Sequence, residues 1–441
     1  MNELNALSPL DGRYSNKVKD MAESFSEFAL FKKRVYVEIE YLIKLLSVIK
    51  QVQFKKESLK RIHNNFSLKD AERIKEIEKE TKHDVVAVIE FIKEKVNEDV
   101  KPFVHFGLTS EDVNNLSYGL ILKDAKSIYL KYLKEAILIL TELAKKYKTL
   151  PMLSRTHAEP ATPTTVGKEF ANYAVRLSWQ YKKLKEIEIS GKLSGSTGNF
   201  NALSTLYPKI NWIDFSKNFV NNLGLLPDLF TTQILFQDSY TELFDTIKRI
   251  NSIIIDLDRN IWLYFLLDYF SLKVDKVSVG SSTMPHKINP ISFENSEGNA
   301  EIAENFFSFL SRKLIKSRLQ RDLSDSTVKR NIGTAFGYSL LSVKSIIEGL
   351  KQIIVDKEKV QKDLNAHGEI FSELIQLYLR KSGSKNGYSL MKEKRENKKF
   401  SYKNYLEKLG KNEPEFILDY IEGMAPELVD KAIQLINKNL N

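Results

Sequence analysis

Long stretches of this chain carry apolar residues at the spacing of an α-helix. One face of a predicted helix near the N-terminus carries Phe25, Phe28, Val35, Ile39, Leu42 and Leu46. Three further apolar-periodic segments run from about residues 241 to 270, 291 to 319 and 337 to 364. Because these segments exceed the roughly 8–20 residues of an ordinary globular helix, the pattern predicts a long helical bundle.

The placement of proline supports a helical fold. Proline is absent from residues 10 to 101, from 103 to 150 and from 291 to 413. A strand-rich chain of this size usually shows turn signals about every 8–12 residues. We therefore expect an all-α fold with a long central helical bundle flanked by two smaller helical domains.

Polar segments marked by glycine and proline separate the helical patterns. We predict loops over 101–115, 151–165, 191–198, 280–290 and 382–387. With soft boundaries near residues 100 and 350, the predicted domains are an N-terminal helical domain (1–100), a central long-helix bundle (101–350) and a C-terminal helical domain (351–441).

Composition favours a cytoplasmic globular protein. Of the 441 residues, 42% are apolar, and the absence of cysteine excludes disulfides and thiolate chemistry and fits a reducing cytosol. Residues 1–7 lack the basic and apolar regions of a signal peptide. The most apolar stretch, 253–270, contains Asp256, Asp258, Arg259 and Asp268. We therefore expect no membrane span.

The chain is basic, with 67 Lys and Arg against 57 Asp and Glu, for a net charge of +10. Such a balance favours polyanionic partners, either nucleic acid or a phosphorylated small molecule. The basic residues are dispersed and form no known nucleic-acid motif, which argues against nucleic acid. A solvated, lysine-rich surface accounts for most of the excess charge.

Residues 280–290 bring together, in a short polar segment, several side chains that can transfer protons or bind charge. The sequence Gly-Ser-Ser-Thr-Met-Pro-His-Lys-Ile-Asn-Pro places two hydroxyls, an imidazole, an ammonium and an amide between a glycine and two prolines. Gly280 permits unusual backbone angles, and Pro285 and Pro290 keep the run out of helices and central strands. This predicts a polar loop that moves as a unit; the plainer alternative is a surface turn.

A second candidate segment surrounds His157, one of six histidines, which stands between Arg155 and Glu159. Imidazole can donate or accept a proton near neutral pH. A lone loop histidine is more often structural, so this segment alone leaves both interpretations open.

Hydroxyl and acidic residues at 109–112 precede an apolar helical pattern that starts at Val113. The segment is a well-formed helix start, with a hydroxyl N-cap and acids in the first turn. A helix N-terminus with free N–H groups also binds carboxylate or phosphate. Residues 82–84 and 8–14 are similar cases.

Together these segments resemble the fumarase/aspartase superfamily, whose shared loop Gly-Ser-Ser-x-Met-Pro-x-Lys-x-Asn-Pro is matched at every fixed position by residues 280–290. Within that superfamily the chain is similar to the bacterial adenylosuccinate lyase family, of about 450 residues. The supporting runs are 7–14, 82–88, 109–112, 155–157, 160–163, 231–234 and 320–330. The resemblance covers residues 7 to about 340.

This resemblance implies an all-α homotetramer whose active sites collect residues from three subunits. It implies β-elimination of fumarate from adenylosuccinate, giving AMP, and from the succinylo-carboxamide ribotide (SAICAR), giving AICAR, in purine nucleotide synthesis. Neither a metal nor an organic cofactor is required by this scheme.

The resemblance also implies a role for each matched residue. Ser281 is the base, activated by its loop and by Lys287, and Lys287 and Asn289 receive the developing charge. His157 is the general acid toward the leaving nitrogen. His83, Thr109 and Ser110 hold the succinyl carboxylates. The full set of expected substrate contacts is Arg13, Tyr14, Lys82, His83, Asp84, Thr109, Ser110, Gln233, Ser282, Asn295, Arg321, Ser326 and Arg330.

The chain departs from the family after the histidine, where relatives usually have Gly-Gln and this chain has Ala158-Glu159. Three explanations of Glu159 stay open. Its carboxyl group is protonated, or it is paired with a cation such as a lysine, or the pocket differs locally from that of the relatives. The alternatives to the assignment are a sister enzyme such as argininosuccinate lyase, fumarase or aspartase, and a non-catalytic helical protein that keeps the fold. The basic residues at 325–330 argue against the sister enzymes, since their substrates lack a phosphate.

Overall fold

The computed structural model describes residues 3–273, 284, 287–395, 401–411 and 414–441. Across these residues the protein is predominantly helical, with strands confined to three two-stranded sheets. The all-α prediction is confirmed. Within the same ranges, no helix combines the length and apolar character needed to cross a membrane.

The first half of the described chain contains α1 (Ser15–Phe25), α2 (Glu27–Ile49), α3 (Lys56–Asn64), α4 (Leu68–Thr81), α5 (Asp84–Lys95), α6 (Ser110–Lys146), α7 (Val166–Glu186), α8 (Asn201–Leu206), α9 (Trp212–Asn222) and α10 (Asp238–Leu266). The second half contains α11 (Ile291–Leu314), α12 (Ser324–Lys329), α13 (Ile332–Gln352), α14 (Lys357–Ala366), α15 (Ser372–Lys381), α16 (Gly387–Arg395), α17 (Tyr402–Lys408), α18 (Pro414–Glu422) and α19 (Ala425–Leu440).

Short elements connect these helices. The strands are β1 (Pro151–Thr156), β2 (Glu159–Thr165), β3 (Ser190–Gly191), β4 (Leu226–Pro227), β5 (Phe270–Leu272) and β6 (Ile353–Val355). Single 3₁₀ turns cover Glu3–Asn5, Lys101–Phe103 and Gly368–Phe371. β1–β2 and β5–β6 pair antiparallel, whereas β3–β4 pair parallel.

The apolar periodicity predicted α10 and α11 within a few residues, but the single helix predicted over 337–364 is wrong. Helices α13 and α14 cover this region with β6 between them, and β6 pairs with β5. Ile353 and Val355 are buried while Ile354 is exposed, which is the two-residue alternation of a strand. Three residues are too few for that alternation to stand out within a helical pattern.

The loop predicted over 151–165 is also wrong, since β1 and β2 form a hairpin there. Pro160 and Pro163 concealed the strand, yet a two-stranded sheet has open edges on which a missing N–H is tolerated. The loop predicted over 101–115 ends early, because α6 begins at Ser110. The turn at 382–387 is confirmed between α15 and α16.

The described residues divide into two compact units. Unit 1 comprises Met1–Lys131, Lys183–Ser252 and Asn299–Leu341. A core within it packs α2 against α3, α4 and α5 through buried side chains such as Val35, Leu42 and Val88. The apolar face predicted from Phe28, Val35, Ile39, Leu42 and Leu46 is therefore a core face. Phe25 was wrongly predicted on the same helix: it ends α1, because Ser26 caps the start of α2.

Unit 2 comprises Tyr132–Lys182, Ile253–Gly298 and Ser342–Asn441. The β1–β2 hairpin packs there beside α14 and α18, over a core that includes Leu153, Leu364 and Ile375. The three-domain division at residues 100 and 350 stays a prediction.

Candidate active site

The predicted site residues fall in both units. Unit 1 contains Arg13, Tyr14, Lys82, His83, Asp84, Thr109, Ser110, Gln233, Arg321, Ser326 and Arg330. Unit 2 contains His157, Lys287, Asn289 and Asn295. Ser281 and Ser282 lie outside the described residues, and so does His286 of the same loop.

In unit 1, the start of α6 is held by the buried carboxylate of Asp112. Its Oδ2 accepts the N–H of Thr109 at 3.0 Å and that of Gly195 at 3.1 Å. Its Oδ1 accepts the N–H of Ser194 at 3.0 Å. Asp112 thus caps its own helix and joins Thr109 and Ser110 to the turn at 194–195.

The charge of Asp112 is balanced by Lys192, and both side chains are fully buried. The Lys192 ammonium lies 2.7 Å from Asp112 Oδ1 and also donates to the carbonyl of Gly195 at 3.1 Å. Asn115, one turn further along α6, accepts the Lys192 N–H at 2.8 Å. This ion pair therefore fixes both segments that approach the predicted carboxylate site.

A second buried ion cluster lies beside the first. Lys329 of α12 is 2.9 Å from Glu111 Oε1 and 2.7 Å from Asp325 Oδ2. Burial alone would lower the pKa of Lys329, but the two carboxylates raise it above the ordinary value. Lys329 is therefore a permanent cation that anchors α12 to α6.

Arg321 and Gln233, both predicted to contact substrate, are hydrogen-bonded to each other. Arg321 Nη1 donates to Gln233 Oε1 at 3.1 Å, and Gln233 Nε2 donates to the carbonyl of Ser196 at 3.0 Å. Arg321 Nη2 stands 3.9 Å from Glu111 Oε2. The guanidinium is thereby oriented by an amide and only partly neutralised.

His83 is the N-cap of α5. Its Nδ1 accepts the N–H groups of Val85 and Val86 at 3.2 and 3.3 Å. An imidazole that accepts at Nδ1 carries its proton on Nε2, so the tautomer follows from the cap. His83 thus presents an N–H donor, suited to a carboxylate, beside exposed Lys82.

Asp84 holds two arginines. Its Oδ2 is 2.8 Å from Arg34 Nη2 and 3.2 Å from Arg330 Nη2. Burial favours the neutral acid, but the charge and hydrogen bond of Arg34 outweigh it and hold the pKa of Asp84 below its ordinary value. Arg34 is buried, whereas half of the Arg330 side chain is exposed. Asp84 therefore orients a cation that faces solvent.

The other unit 1 residues lie on short elements. Arg13 is exposed, with its guanidinium 5.9 Å from the ring centre of Tyr14 at the start of α1. Ser326 lies half-buried on α12, where its N–H donates to the carbonyl of Leu323.

In unit 2, His157 occupies the tip of the β1–β2 hairpin. His157 and Ala158 have φ of 55° and 66°, between the paired residues Thr156 and Glu159. Among two-residue hairpin turns, the type I′ turn needs positive φ at both positions, which costs little for glycine and more for other residues. The imidazole is exposed at this tip.

Lys287, Asn289 and Asn295 lie around the start of α11. Lys287 is exposed and Asn289 is half-buried, two residues before the helix begins. Asn295, on the first turns of α11, donates from Nδ2 to Ser345 Oγ of α13 at 2.7 Å. Lys287 and Asn289 thus flank an α-helix N-terminus, where N–H groups favour negative charge.

The sequence did not single out four residues that organise unit 1: Arg34, Glu111, Asp112 and Lys192. Lys329 is one of the basic residues at 325–330 that were predicted to suit a phosphate, but it is buried between Glu111 and Asp325. Glu111 and Asp112 were visible only as first-turn acids, and Lys192 only as part of a glycine-rich turn. Nothing in the sequence marks Arg34, because its partners lie 50 or more positions away.

The described residues contain no group of three or more His, Asp and Glu side chains that could hold a metal ion. What unit 1 does offer is cations, an N–H-bearing imidazole and hydroxyls at a helix N-terminus, which suit an anionic ligand. Unit 2 offers an exposed imidazole, an ammonium and an amide, which suit proton transfer and charge stabilisation.

Comparison with known proteins gives the family. The family model described as Lyase matches residues 12–302, and that described as Adenylosuccinate lyase C-terminal matches residues 317–415. An adenylosuccinate lyase of Haemophilus influenzae is 44% identical over 98% of this chain and 99% of its own. That of Escherichia coli strain K12 is 45% identical over 89% of both chains.

A solved structure agrees on the fold. The fumarate lyase from Mesorhizobium sp. BNC1 superposes with a TM-score of 0.78 over 94% of this chain and 97% of its own, at 17% identity. By sequence over nearly its whole length, and by its all-α fold, the chain belongs to the adenylosuccinate lyase family of the fumarase/aspartase superfamily of lyases.

Proposed function

We propose that this chain cleaves adenylosuccinate to AMP and fumarate by β-elimination, and that it performs the same elimination on SAICAR in purine nucleotide synthesis. The observation that carries the proposal is the identity to adenylosuccinate lyases over nearly the full chain. Both substrates carry one phosphate and two carboxylates, which need several cations and oriented donors.

Unit 1 supplies groups for those anions. Thr109 and Ser110 at the start of α6, with the Nε2–H of His83, suit the succinyl carboxylates. Arg330, oriented by Asp84, suits the phosphate because a guanidinium donates two parallel hydrogen bonds. Arg13, Tyr14, Arg321 and Ser326 complete the proposed nucleotide contacts, and Lys82 is a further proposed substrate contact.

The chemistry needs a base, an acid and a stabiliser of negative charge. A base removes a proton from the carbon next to a carboxylate, and the elimination passes through an aci-carboxylate dianion. We assign the base to Ser281, by resemblance, and the stabilisation of the dianion to Lys287 and Asn289. His157 protonates the leaving nitrogen.

The proposal extends to a cytoplasmic homotetramer whose active sites are shared between subunits. Large apolar side chains are exposed on α10 and α11, among them Trp262, Leu266, Ile291 and Phe309. Exposed apolar side chains on long helices are typical of surfaces that pack against another subunit.

Two variants test these assignments. Ser281→Ala should nearly abolish fumarate release while substrate binding survives, and full activity would remove this serine from the mechanism. His157→Ala should lower kcat by about 10²–10⁴ with little effect on binding. Mixing the two inactive proteins should restore some activity, whereas no recovery after confirmed subunit exchange would contradict shared sites.

A further inference from the structure

The turn that carries His157 is in a costly backbone conformation. His157 and Ala158 both have left-handed φ. For residues other than glycine this costs roughly 1–2 kcal/mol each, and such strain persists only where the surrounding structure enforces it. Contacts elsewhere on the hairpin must therefore hold the tip.

Arg155 provides one such contact on β1, two residues before His157. Its Nη2 lies 2.8 Å from Oδ2 of Asp363 on α14. Both side chains are about three-quarters buried, with 27% and 22% of their surfaces exposed. A partly desolvated, charge-assisted hydrogen bond of this kind holds geometry better than an exposed ion pair.

Asp363 is in turn held by Tyr269, which donates its hydroxyl proton to the same Oδ2. β5 pairs with β6, and the backbone carbonyl of Tyr269, immediately before β5, accepts the N–H of Asp356 at the start of α14. The sheet therefore sets the distance between Tyr269 and Asp363.

The protonation states suit this arrangement. Burial favours neutral Asp363, but hydrogen bonds from Tyr269 and Arg155 keep its pKa below the ordinary value. Burial, and then Asp363, raise the pKa of Tyr269. His367 Nε2 lies 3.7 Å from the other carboxylate oxygen. Asp363 is thus an anion that lies between the hydroxyl donor of Tyr269 and the guanidinium cation of Arg155.

We propose that Asp363, held by Tyr269, is a positioning residue that fixes the general acid His157 through Arg155. The inference rests on the proposed function. Two residues of strand span only about 7 Å, so displacement of Arg155 displaces the hairpin tip with it. A misplacement of about 1 Å at a reacting group can cost on the order of 10² in rate.

The test uses the full-length protein and adenylosuccinate, with steady-state initial rates of fumarate release as the readout. Asp363→Asn, which keeps the shape and removes the charge, should lower kcat about 10–100-fold and change KM less than threefold. Tyr269→Phe should lower kcat severalfold. The matched control is Lys359→Met, which breaks the exposed ion pair from α14 to Asp268 and should leave kcat unchanged.

Coupling to His157 separates positioning from a general structural role. In the His157→Ala background, Asp363→Asn should cause no further loss, because the group it positions is gone. An equal loss in both backgrounds, or an unchanged kcat for Asp363→Asn alone, would overturn the inference. Failure of the proposed function is distinct, since the unmodified protein would then release no fumarate.

Discussion

Replacing Lys192 with Met tests the buried ion pair beneath the start of α6. Methionine has a similar length and no charge, so the change leaves Asp112 buried without its ammonium partner. Removing one partner of a buried pair costs about 3–5 kcal/mol. Three backbone N–H groups still donate to Asp112, which places the expected loss near the lower end, at about 3 kcal/mol.

The assay is urea unfolding at one fixed protein concentration, because the proposed subunit association would make the apparent stability depend on concentration. The matched control is Lys33→Met, which breaks an ion pair to Asp124 of equal length, 2.7 Å, in the same unit. In this pair 28% of the Lys33 side chain and 49% of the Asp124 side chain are exposed. An exposed pair is worth less than about 1 kcal/mol.

A double variant measures the interaction energy between Lys192 and Asp112. Lys192→Met combined with Asp112→Asn should cost about 1–3 kcal/mol less than the sum of the two single changes, since no unpaired charge remains. The single Lys192→Met change should also raise KM, because Asp112 orients Thr109. A loss no larger than that of Lys33→Met would refute the buried ion pair.

Three further changes have expected outcomes. Arg330→Met should raise KM for adenylosuccinate tenfold or more at similar kcat, measured by initial rates. Because the lost contact is to phosphate, the same change should have little effect on the KM of an adenylosuccinate analogue that lacks the phosphate group. Ala158→Gly should stabilise the protein by about 0.5–1 kcal/mol in urea unfolding, because relief of left-handed strain exceeds the entropy that glycine adds to the unfolded chain. Burial disfavours charged His105, but Glu38 at 2.5 Å, helped by the charge of Asp112, raises the pKa of His105 above its ordinary 6.5. The stability from this pair is therefore fully present below pH 6.5 and lost as pH rises through the raised pKa, so the deficit of Glu38→Gln in urea unfolding should shrink with rising pH.

The helices could be predicted from sequence because their signal is local. The apolar spacing that predicts α10 and α11 repeats every three or four residues and needs no distant partner. β6 and the β1–β2 hairpin were missed because strands this short, or this rich in Thr and Pro, show their pattern only once paired.

The candidate site was predictable only where a residue belongs to a motif. His157, Thr109 and Arg330 lie in runs matched to the family. Lys192 and Asp112 meet across 80 positions, and Arg155 and Asp363 across 208. Such pairs form only when the chain folds, so no residue spacing in the sequence predicts them.

The central claim is most directly tested by mixing purified protein with adenylosuccinate and measuring, in the same tube, the ultraviolet change and the fumarate released. Our proposal predicts AMP and fumarate in equal amounts. Absence of turnover, with release of fumarate from argininosuccinate, malate or aspartate instead, would contradict it and assign the chain to a sister activity.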